Sequence, residues 1–270
     1  MLTRRTDSLS ILKNDAEGLL FEGTTRVVLV HGAMDRARSF TRLIRHLTAA
    51  GFDCVSYDRR GYEDSALQDP FSIESPPGIE DHIDDLAEVI GSEPSIVFGH
   101  SVGGTIALCL AEQNRAPIKA LVTFESPLPW MSFWQRSGAY AIVPGTEIAQ
   151  EFAEEFATKF MVRMIGEHRW DRLPPSTKRR RRAEGAVLVA EMSTIGHRLP
   201  ALDPSRIRVP CLVARGENAA PRHIQAVDYL VGHIPHAIEI VVAGTDHGIH
   251  LSNPKRAAEL VEIAHRQFTC

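Results

Sequence analysis

The stretch SIVFGHSVGG, residues 95–104, decides the fold. Its apolar first half is typical of a strand covered on both faces, and the run rich in alanine and leucine that follows it predicts a helix. Residues 99–103 match the pattern G-x-S-x-G, which places a serine on a sharp turn between strand and helix. Glycines give this turn the room it needs, and the helix N-terminus directs free N–H groups at it. Ser101 is therefore a candidate nucleophile, with a capping serine in an ordinary glycine-rich turn as the alternative.

Short strands and helix-period segments alternate on both sides of this turn. Repeated strand–helix units predict an α/β fold, with a mostly parallel central sheet and helices on both faces. The other predicted strands cover residues 27–30, 54–58, 120–124, 211–214 and 238–242, and helix stripes cover residues 40–47, 79–90 and 254–264.

The alternation stops in the middle of the chain. Residues 127–204 contain no good strand, but aromatic and charged residues at helical spacing predict one helix near residues 152–163 and another over about residues 177–195. We therefore expect a core domain of residues 1–126 and 205–270 that carries a helical insertion, a cap, of residues 127–204.

Composition excludes several classes of partner. The net charge of −4 gives no field that would hold nucleic acid, and no uninterrupted apolar window of about 18 residues would span a membrane. The basic run of residues 178–182 is interpreted as a solvated helix face. The first 15 residues contain no signal-peptide pattern, and the scattered cysteines (54, 109, 211 and 270) are expected to be buried thiols. These features favour the cytoplasm and leave the oligomeric state open.

The chain resembles the α/β-hydrolase superfamily along nearly its whole length. Four landmarks carry the resemblance: HGA at residues 31–33, YDRRGYEDS at residues 57–65, the serine turn, and GTDHG at residues 244–248. The second differs from the family's D-x-R-G-x-G-x-S turn in having Glu63 for its second glycine. The insertion also falls where this family keeps its cap.

The resemblance implies a serine hydrolase without a cofactor. The main-chain N–H groups of Ala33 and Val102 would form the oxyanion hole, and His31 would brace that loop. His247 would be the base, because it lies in a loop just past the last strand, with His250 as the alternative and His100 as a structural residue. A metal held by the H-x-x-H of His247 and His250 is disfavoured, because no third ligand is evident.

The catalytic acid departs from the family's usual pattern. The usual position, after the strand that follows the cap, is Ala219, which cannot orient a histidine. A minority of the family takes its acid from the end of the preceding strand, where this chain has Glu125. Glu125 is therefore the expected acid, with Glu217 next and Asp203 and Asp246 behind it.

Bulky apolar residues lie beside the expected site. Trp130 and Trp134, with Met131 and Phe133 between them, indicate a wall for an apolar substrate group, although packing of cap on core explains them equally well. His31 and Met34 are the other expected pocket residues. The expected substrate is a small-molecule carboxylic ester cleaved through an acyl-enzyme. A C–C bond hydrolase, lactonase, amidase, acyltransferase or non-catalytic receptor on the same scaffold is the alternative.

Overall fold

A computed structural model describes residues 9–14, 24–68, 75–134 and 138–269. Cys270 and most of the N-terminal stretch considered above lie outside these residues. Within them, no helix combines the length and the apolar character that crossing a bilayer requires. The cysteine expectation is confirmed for the three described residues, because Cys54, Cys109 and Cys211 are buried free thiols.

The described strands form a seven-stranded sheet in the order β1-β3-β2-β4-β5-β6-β7. Neighbouring strands run parallel except β1, which pairs antiparallel with β3. The predicted α/β fold is thus confirmed, and β1 is an addition that the sequence pattern did not indicate. The strands are β1 (Ile11–Asn14), β2 (Arg26–Val30), β3 (Asp53–Tyr57), β4 (Ser95–His100), β5 (Ile118–Phe124), β6 (Cys211–Gly216) and β7 (Ile238–Val242).

Helices cover both faces of this sheet. Their apolar stripes pack on the strands, so the central strands are buried on both sides and consist almost wholly of apolar residues. The described helices outside the interval between β5 and β6 are α1 (Thr41–Ala49), α2 (Glu63–Gln68), α3 (Ile79–Ile90), α4 (Val102–Gln113), α9 (Pro221–His233), α10 (Ile249–Ser252) and α11 (Pro254–Phe268), with a short 3-10 turn at Ala37–Phe40. A second 3-10 turn, Pro204–Arg206, lies just before β6. Of these helices, α3, α4 and α9 contribute to one apolar cluster, and α1 and α11 to the other.

A helical segment, residues 138–204, separates β5 from β6 and contains no strand in its described residues. It has an apolar cluster of its own, which includes Trp170 and Leu188 and also takes in Met34 and Tyr62 from the first half of the chain. The boundaries proposed for a cap stay a prediction. The segment begins with a 3-10 turn (Gly138–Ala141) and continues with α5 (Gln150–Ile165), α6 (Glu167–Asp171), α7 (Pro175–Ala183) and α8 (Gly185–Gly196).

Two details of the helical segment differ from expectation. The single helix expected over residues 177–195 is two helices, α7 and α8, which meet at Glu184. The solvated face expected for the basic run is wrong for Arg181, which is 1% exposed because its guanidinium pairs with the buried carboxylate of Glu184 at 2.7 Å. Arg180 likewise pairs with Glu63 at 2.7 Å. The carboxylates of Glu63 and Glu184, which lie outside the basic run in the sequence, thus pair with two of its arginines, and Arg181 is buried.

Candidate active site

Ser101 stands at the turn between β4 and α4, in a conformation that few residues adopt. Its φ is 53° and its ψ is −126°, and its N–H donates to the carbonyl of Phe124 at 2.9 Å. The turn can be this tight because glycines follow. A Cβ at Gly103 would lie 2.2 Å from the carbonyl oxygen of Val30, and one at Gly104 would lie 2.0 Å from the Ser126 hydroxyl. The serine side chain is half-buried at the carboxyl edge of the sheet.

The loop of residues 31–33 abuts this serine. A Cβ built at Gly32 would lie 3.0 Å from the Cβ of Ser101. The main-chain N–H groups of Ala33 and Val102 donate no hydrogen bond within the described part of the chain. Both donors are therefore available to an anionic oxygen that develops beside Ser101.

His31 holds this loop from behind. Its Nε2 accepts from the main-chain N–H of Arg59 at 2.9 Å, so its Nδ1 carries the proton and donates to the carbonyl of Gly32 at 2.8 Å. Burial, reinforced by the charge of Arg59, lowers the pKa of His31 to about 3 and keeps the ring neutral. The expectation that His31 lines a substrate pocket is wrong, because the side chain is fully buried and both ring nitrogens are occupied.

Glu125 and His247 meet across two strand ends. Glu125 follows β5 with φ 48°, and its carboxylate accepts from the N–H of Gly216 at 3.0 Å through Oε1. Its Oε2 lies 2.8 Å from Nδ1 of His247, which stands in the loop after β7. The carboxylate is 1% exposed and the histidine side chain 24% exposed. A buried carboxylate on Nδ1 fixes the tautomer in which Nε2 is free to accept a proton.

The other candidate acids and bases are engaged elsewhere. Glu217 accepts from the N–H of Gly244 at 2.9 Å, Asp246 from the N–H of Gly248 at 3.0 Å, and Asp203 from Ser205. His250 is buried, with its Nε2 3.0 Å from a carboxylate oxygen of Asp35. The Ser101 hydroxyl forms no hydrogen bond with another described residue, so its pairing with His247 stays a prediction.

Further histidines surround His247. The ring of His223 lies 5.0 Å and that of His100 4.8 Å from the His247 ring, centroid to centroid. His100 also donates from Nε2 to the carbonyl of His247 at 2.7 Å. Burial is the main cause that lowers the pKa of His223 to about 2, and it also lowers that of His100 well below the ordinary value. Both rings are therefore neutral neighbours of His247.

Sequence reasoning missed His223. Its only signal was its place on the first turn of α9, just after Ala219, where the family's usual acid would be. Among the residues that the structure describes, two groups of three side chains bring possible metal-ligand atoms within 4.8 Å of one another: Glu125, His223 and His247, and Asp35, His100 and His250. His247 and His250 belong to different groups, so they do not form the H-x-x-H pair considered above. The expectation of a site without metal stays a prediction.

The aromatic residues expected at the pocket lie close to this cluster. Trp134 is 6% exposed, and its ring stands edge-on to that of His223 at 5.1 Å. The guanidinium of Arg222 covers Trp134 at 5.5 Å. Trp130 is partly buried, whereas Met34 is almost fully buried in the apolar cluster of the helical segment. Trp134 is thus within two ring contacts of His247.

Comparison with known proteins agrees with this fold. A family model described as "Alpha/beta hydrolase family" matches residues 27–260. The chain is 34% identical over 102 residues to the uncharacterized hydrolase YraK of Bacillus subtilis, an alignment covering 37% of this chain and 36% of that protein. It is 29% identical over 106 residues to the lipase LipV of Mycobacterium tuberculosis, covering 38% of each. The matched part therefore spans little more than a third of these curated relatives.

Solved structures show the same fold at low sequence identity. MenH from S. aureus superposes with a TM-score of 0.69 at 17% identity, covering 96% of this chain and 98% of that one. A thermophilic esterase from Thermogutta terrifontis superposes with a TM-score of 0.61 at 18% identity, covering 96% and 93%. At such identities the likeness concerns the fold alone.

Proposed function

Because the chain belongs to the alpha/beta hydrolase family, we propose that it is a serine hydrolase that cleaves carboxylic esters through an acyl-enzyme. Ser101 is the nucleophile, His247 the general base, and Glu125 the acid that orients it. The observation that carries this proposal is the 2.8 Å contact of His247 Nδ1 with the buried Glu125 carboxylate. The match to the lipase described above supports an ester as the substrate class.

The reaction divides into two steps. Ser101 Oγ adds to the ester carbonyl while His247 Nε2 takes the hydroxyl proton, and the resulting oxyanion accepts from the N–H groups of Ala33 and Val102. The protonated histidine then gives its proton to the departing alkoxide, which leaves as the alcohol. In the second step, water adds to the acyl-enzyme with His247 again as base, releasing the carboxylic acid and restoring Ser101.

The substrate is proposed to be a small molecule with an apolar group. Trp134, whose ring contacts that of His223, and Trp130, which is four residues earlier and partly buried, are the residues proposed to cover such a group. The helical segment would then act as a cap over the serine. No cofactor takes part in this chemistry.

Turnover and labelling of Ser101 test the proposal. The protein should hydrolyse p-nitrophenyl acetate and butyrate and should react with a fluorophosphonate probe at Ser101. Ser101→Ala should abolish labelling and lower kcat by about 10⁴–10⁶-fold. Ser92→Ala, which changes an exposed serine before β4, at the sheet edge opposite the site, is the matched control and should retain both. Full activity in Ser101→Ala would contradict the proposal.

A further inference from the structure

The peptide unit that joins Gly32 to Ala33 is held by its carbonyl. The oxygen of Gly32 accepts from Nη2 of Arg59 at 3.0 Å, from Nδ1 of His31 at 2.8 Å and, at the longer distance of 3.4 Å, from the main-chain N–H of Asp35. A trans peptide is planar, and its C=O and N–H point in opposite directions. Fixing the Gly32 oxygen therefore also fixes the direction of the Ala33 N–H, which is the proposed oxyanion donor.

Arg59 makes this contact as part of a fully buried arrangement. Its Nε donates to the carbonyl of His31 at 3.0 Å, and its Nη1 pairs with the carboxylate of Glu191. Arg59 and Glu191 side chains are both 0% exposed. Burial, the largest single influence, acts to lower the pKa of Arg59, but the charge and hydrogen bond of Glu191, together with Tyr62 and Tyr57, outweigh it and raise the pKa. The guanidinium can remain charged in this position because Glu191 is there.

Glu191 and Arg59 belong to different parts of the fold. Glu191 lies on α8 of the helical segment, whereas Arg59 follows β3 in the sheet. Its Oε2 also accepts from the hydroxyl of Tyr62 at 3.3 Å and lies 3.4 Å from Nε2 of His82. These contacts hold the carboxylate in one place against the guanidinium.

We propose that Glu191 is a positioning residue for the oxyanion hole, which acts by holding Arg59 on the carbonyls of His31 and Gly32. The inference rests on the proposed function, because it concerns the donor that serves Ser101. Without the carboxylate, the guanidinium is a buried and uncompensated charge, and it gains by turning towards other acceptors or water. The Gly32 carbonyl then loses the guanidinium and keeps the donors of its own loop, Nδ1 of His31 and the N–H of Asp35, so the direction of the Ala33 N–H is less firmly fixed. Glu191, on the helical segment, thereby contributes to the reaction without touching the substrate.

Glu184 provides a matched control. It is also a buried carboxylate that ties the helical segment to the sheet side, since it accepts from Arg181 Nη1 at 2.7 Å and from the N–H of Glu63 at 3.0 Å. It is 1% exposed and makes no contact with residues 31–33 in the described part of the chain. Glu191→Gln and Glu184→Gln therefore remove similar charges, but only the first reaches the loop beside Ser101.

The experiment compares the two variants with the unchanged protein, each at a temperature well below its own Tm. For Glu191→Gln, we expect kcat for p-nitrophenyl butyrate to fall roughly 10–100-fold while KM changes little. Glu184→Gln should lower Tm but leave kcat near that of the unchanged protein. A trifluoromethyl ketone, which adds the Ser101 hydroxyl and forms an oxyanion, should lose affinity for Glu191→Gln by a similar factor. The corresponding methyl ketone should bind all three proteins alike.

Several outcomes would overturn the inference. It fails if Glu184→Gln loses as much kcat as Glu191→Gln, or if the trifluoromethyl ketone binds Glu191→Gln as tightly as the unchanged protein. Should Glu191→Gln not fold, Glu191→Asp keeps the charge but withdraws it by one methylene, and kcat and trifluoromethyl ketone affinity should fall together. An unchanged kcat in Glu191→Asp would also contradict the inference. An unchanged protein that neither turns over esters nor labels at Ser101 would instead remove the proposed function, and the inference with it.

Discussion

At the scale of single residues, the carboxylate of Glu125 accepts one hydrogen bond on each of its two oxygens. Oε1 accepts from the N–H of Gly216, and Oε2 faces Nδ1 of His247. Because Gly216 ends β6 and His247 follows β7, one side chain joins the ends of neighbouring strands. A carboxylate with one oxygen held by main chain can rotate little, so it presents the other oxygen to His247 in a constant direction.

Removing this charge should damage turnover more than folding. Glu125→Gln can still accept from Gly216, but its amide then presents N–H groups to Nδ1 of His247 and favours the wrong tautomer. We expect kcat to fall by about 10²–10⁴-fold. Glu217→Gln is the control, because Glu217 is exposed and its carboxylate accepts from the N–H of Gly244, away from His247. Steady-state kinetics and Tm on both variants check this, and a dead Glu217→Gln beside an active Glu125→Gln would reverse the assignment.

The meeting of Glu125 with His247 could be anticipated because parallel strands end at a common edge. The position of each residue relative to a predicted strand therefore carried information about distance. Nothing comparable indicated His223 or Asp35, which reach their places through helix packing and loop conformation. The burial of His31 was likewise not visible, since its neighbour Arg59 is distant in sequence.

At the scale of elements, α4 lies unusually close to β2. The Val30 carbonyl occupies the space where a side chain at Gly103 would begin, so this helix can start only with glycine at that position. Gly232, near the end of α9, has no atom within 4 Å of its would-be Cβ. Both glycines lie in helices, but close packing requires glycine at position 103 and no packing constraint requires it at position 232.

Alanine substitutions should separate these reasons. Gly103→Ala forces the backbone apart at the nucleophile turn and should lower the free energy of unfolding by about 3 kcal/mol, with loss of turnover. Gly232→Ala should raise it by roughly 0.4–1 kcal/mol, because alanine is the better helix former and restricts the unfolded chain. Urea denaturation measures both, and a neutral Gly103→Ala would mean that the turn can relax.

Elements were predictable where the apolar period was strong and missed where other forces decide. The six parallel strands and most of the long helices appear in the hydrophobic pattern, but α9 was not predicted, and β1 has four residues and pairs antiparallel at the edge. Its pairing depends on β3 being present, which a local pattern does not contain. The division between α7 and α8 coincides with the buried Glu184, whose partner Glu63 is far away in sequence.

At the scale of the whole molecule, buried neutral histidines link stability to pH. Burial is the largest cause in lowering the pKa of His31 to about 3, that of His223 to about 2, and that of His100 well below 6.5. Below about pH 6.5 these imidazoles take up protons in the unfolded chain but not in the folded one. The free energy of unfolding is therefore unaffected by these histidines above that pH and decreases as the pH falls below it. Burial raises the pKa of Asp58 to about 6. Between its pKa in the unfolded chain and pH 6, Asp58 therefore binds a proton in the folded protein and offsets the effect of one histidine.

We expect Tm to decrease steadily as the pH is lowered from 7.5 to 5. Burial also raises the pKa of Glu184, so three histidines stand against two carboxyl groups, and the net uptake on unfolding approaches one proton, or about 1.4 kcal/mol per pH unit, towards pH 5. Scanning calorimetry across this range gives the slope directly. His31→Gln, which cannot titrate, should flatten it, and a Tm that rises towards pH 5 would refute the account.

The exposed edge of the outer strand β7 also affects the colloidal stability of the protein in solution. Two of its apolar side chains, Ile238 and Val241, are 37% and 44% exposed, and among the described strands it pairs on one side only. Its acidic residue, Glu239, pairs with Arg215 at 3.1 Å and places a charge in an otherwise apolar edge that could template addition of another chain. Glu239→Val would leave five consecutive apolar residues on this edge. We expect that variant to form particles in concentrated solution, visible by light scattering, while Glu259→Val on α11 stays dispersed.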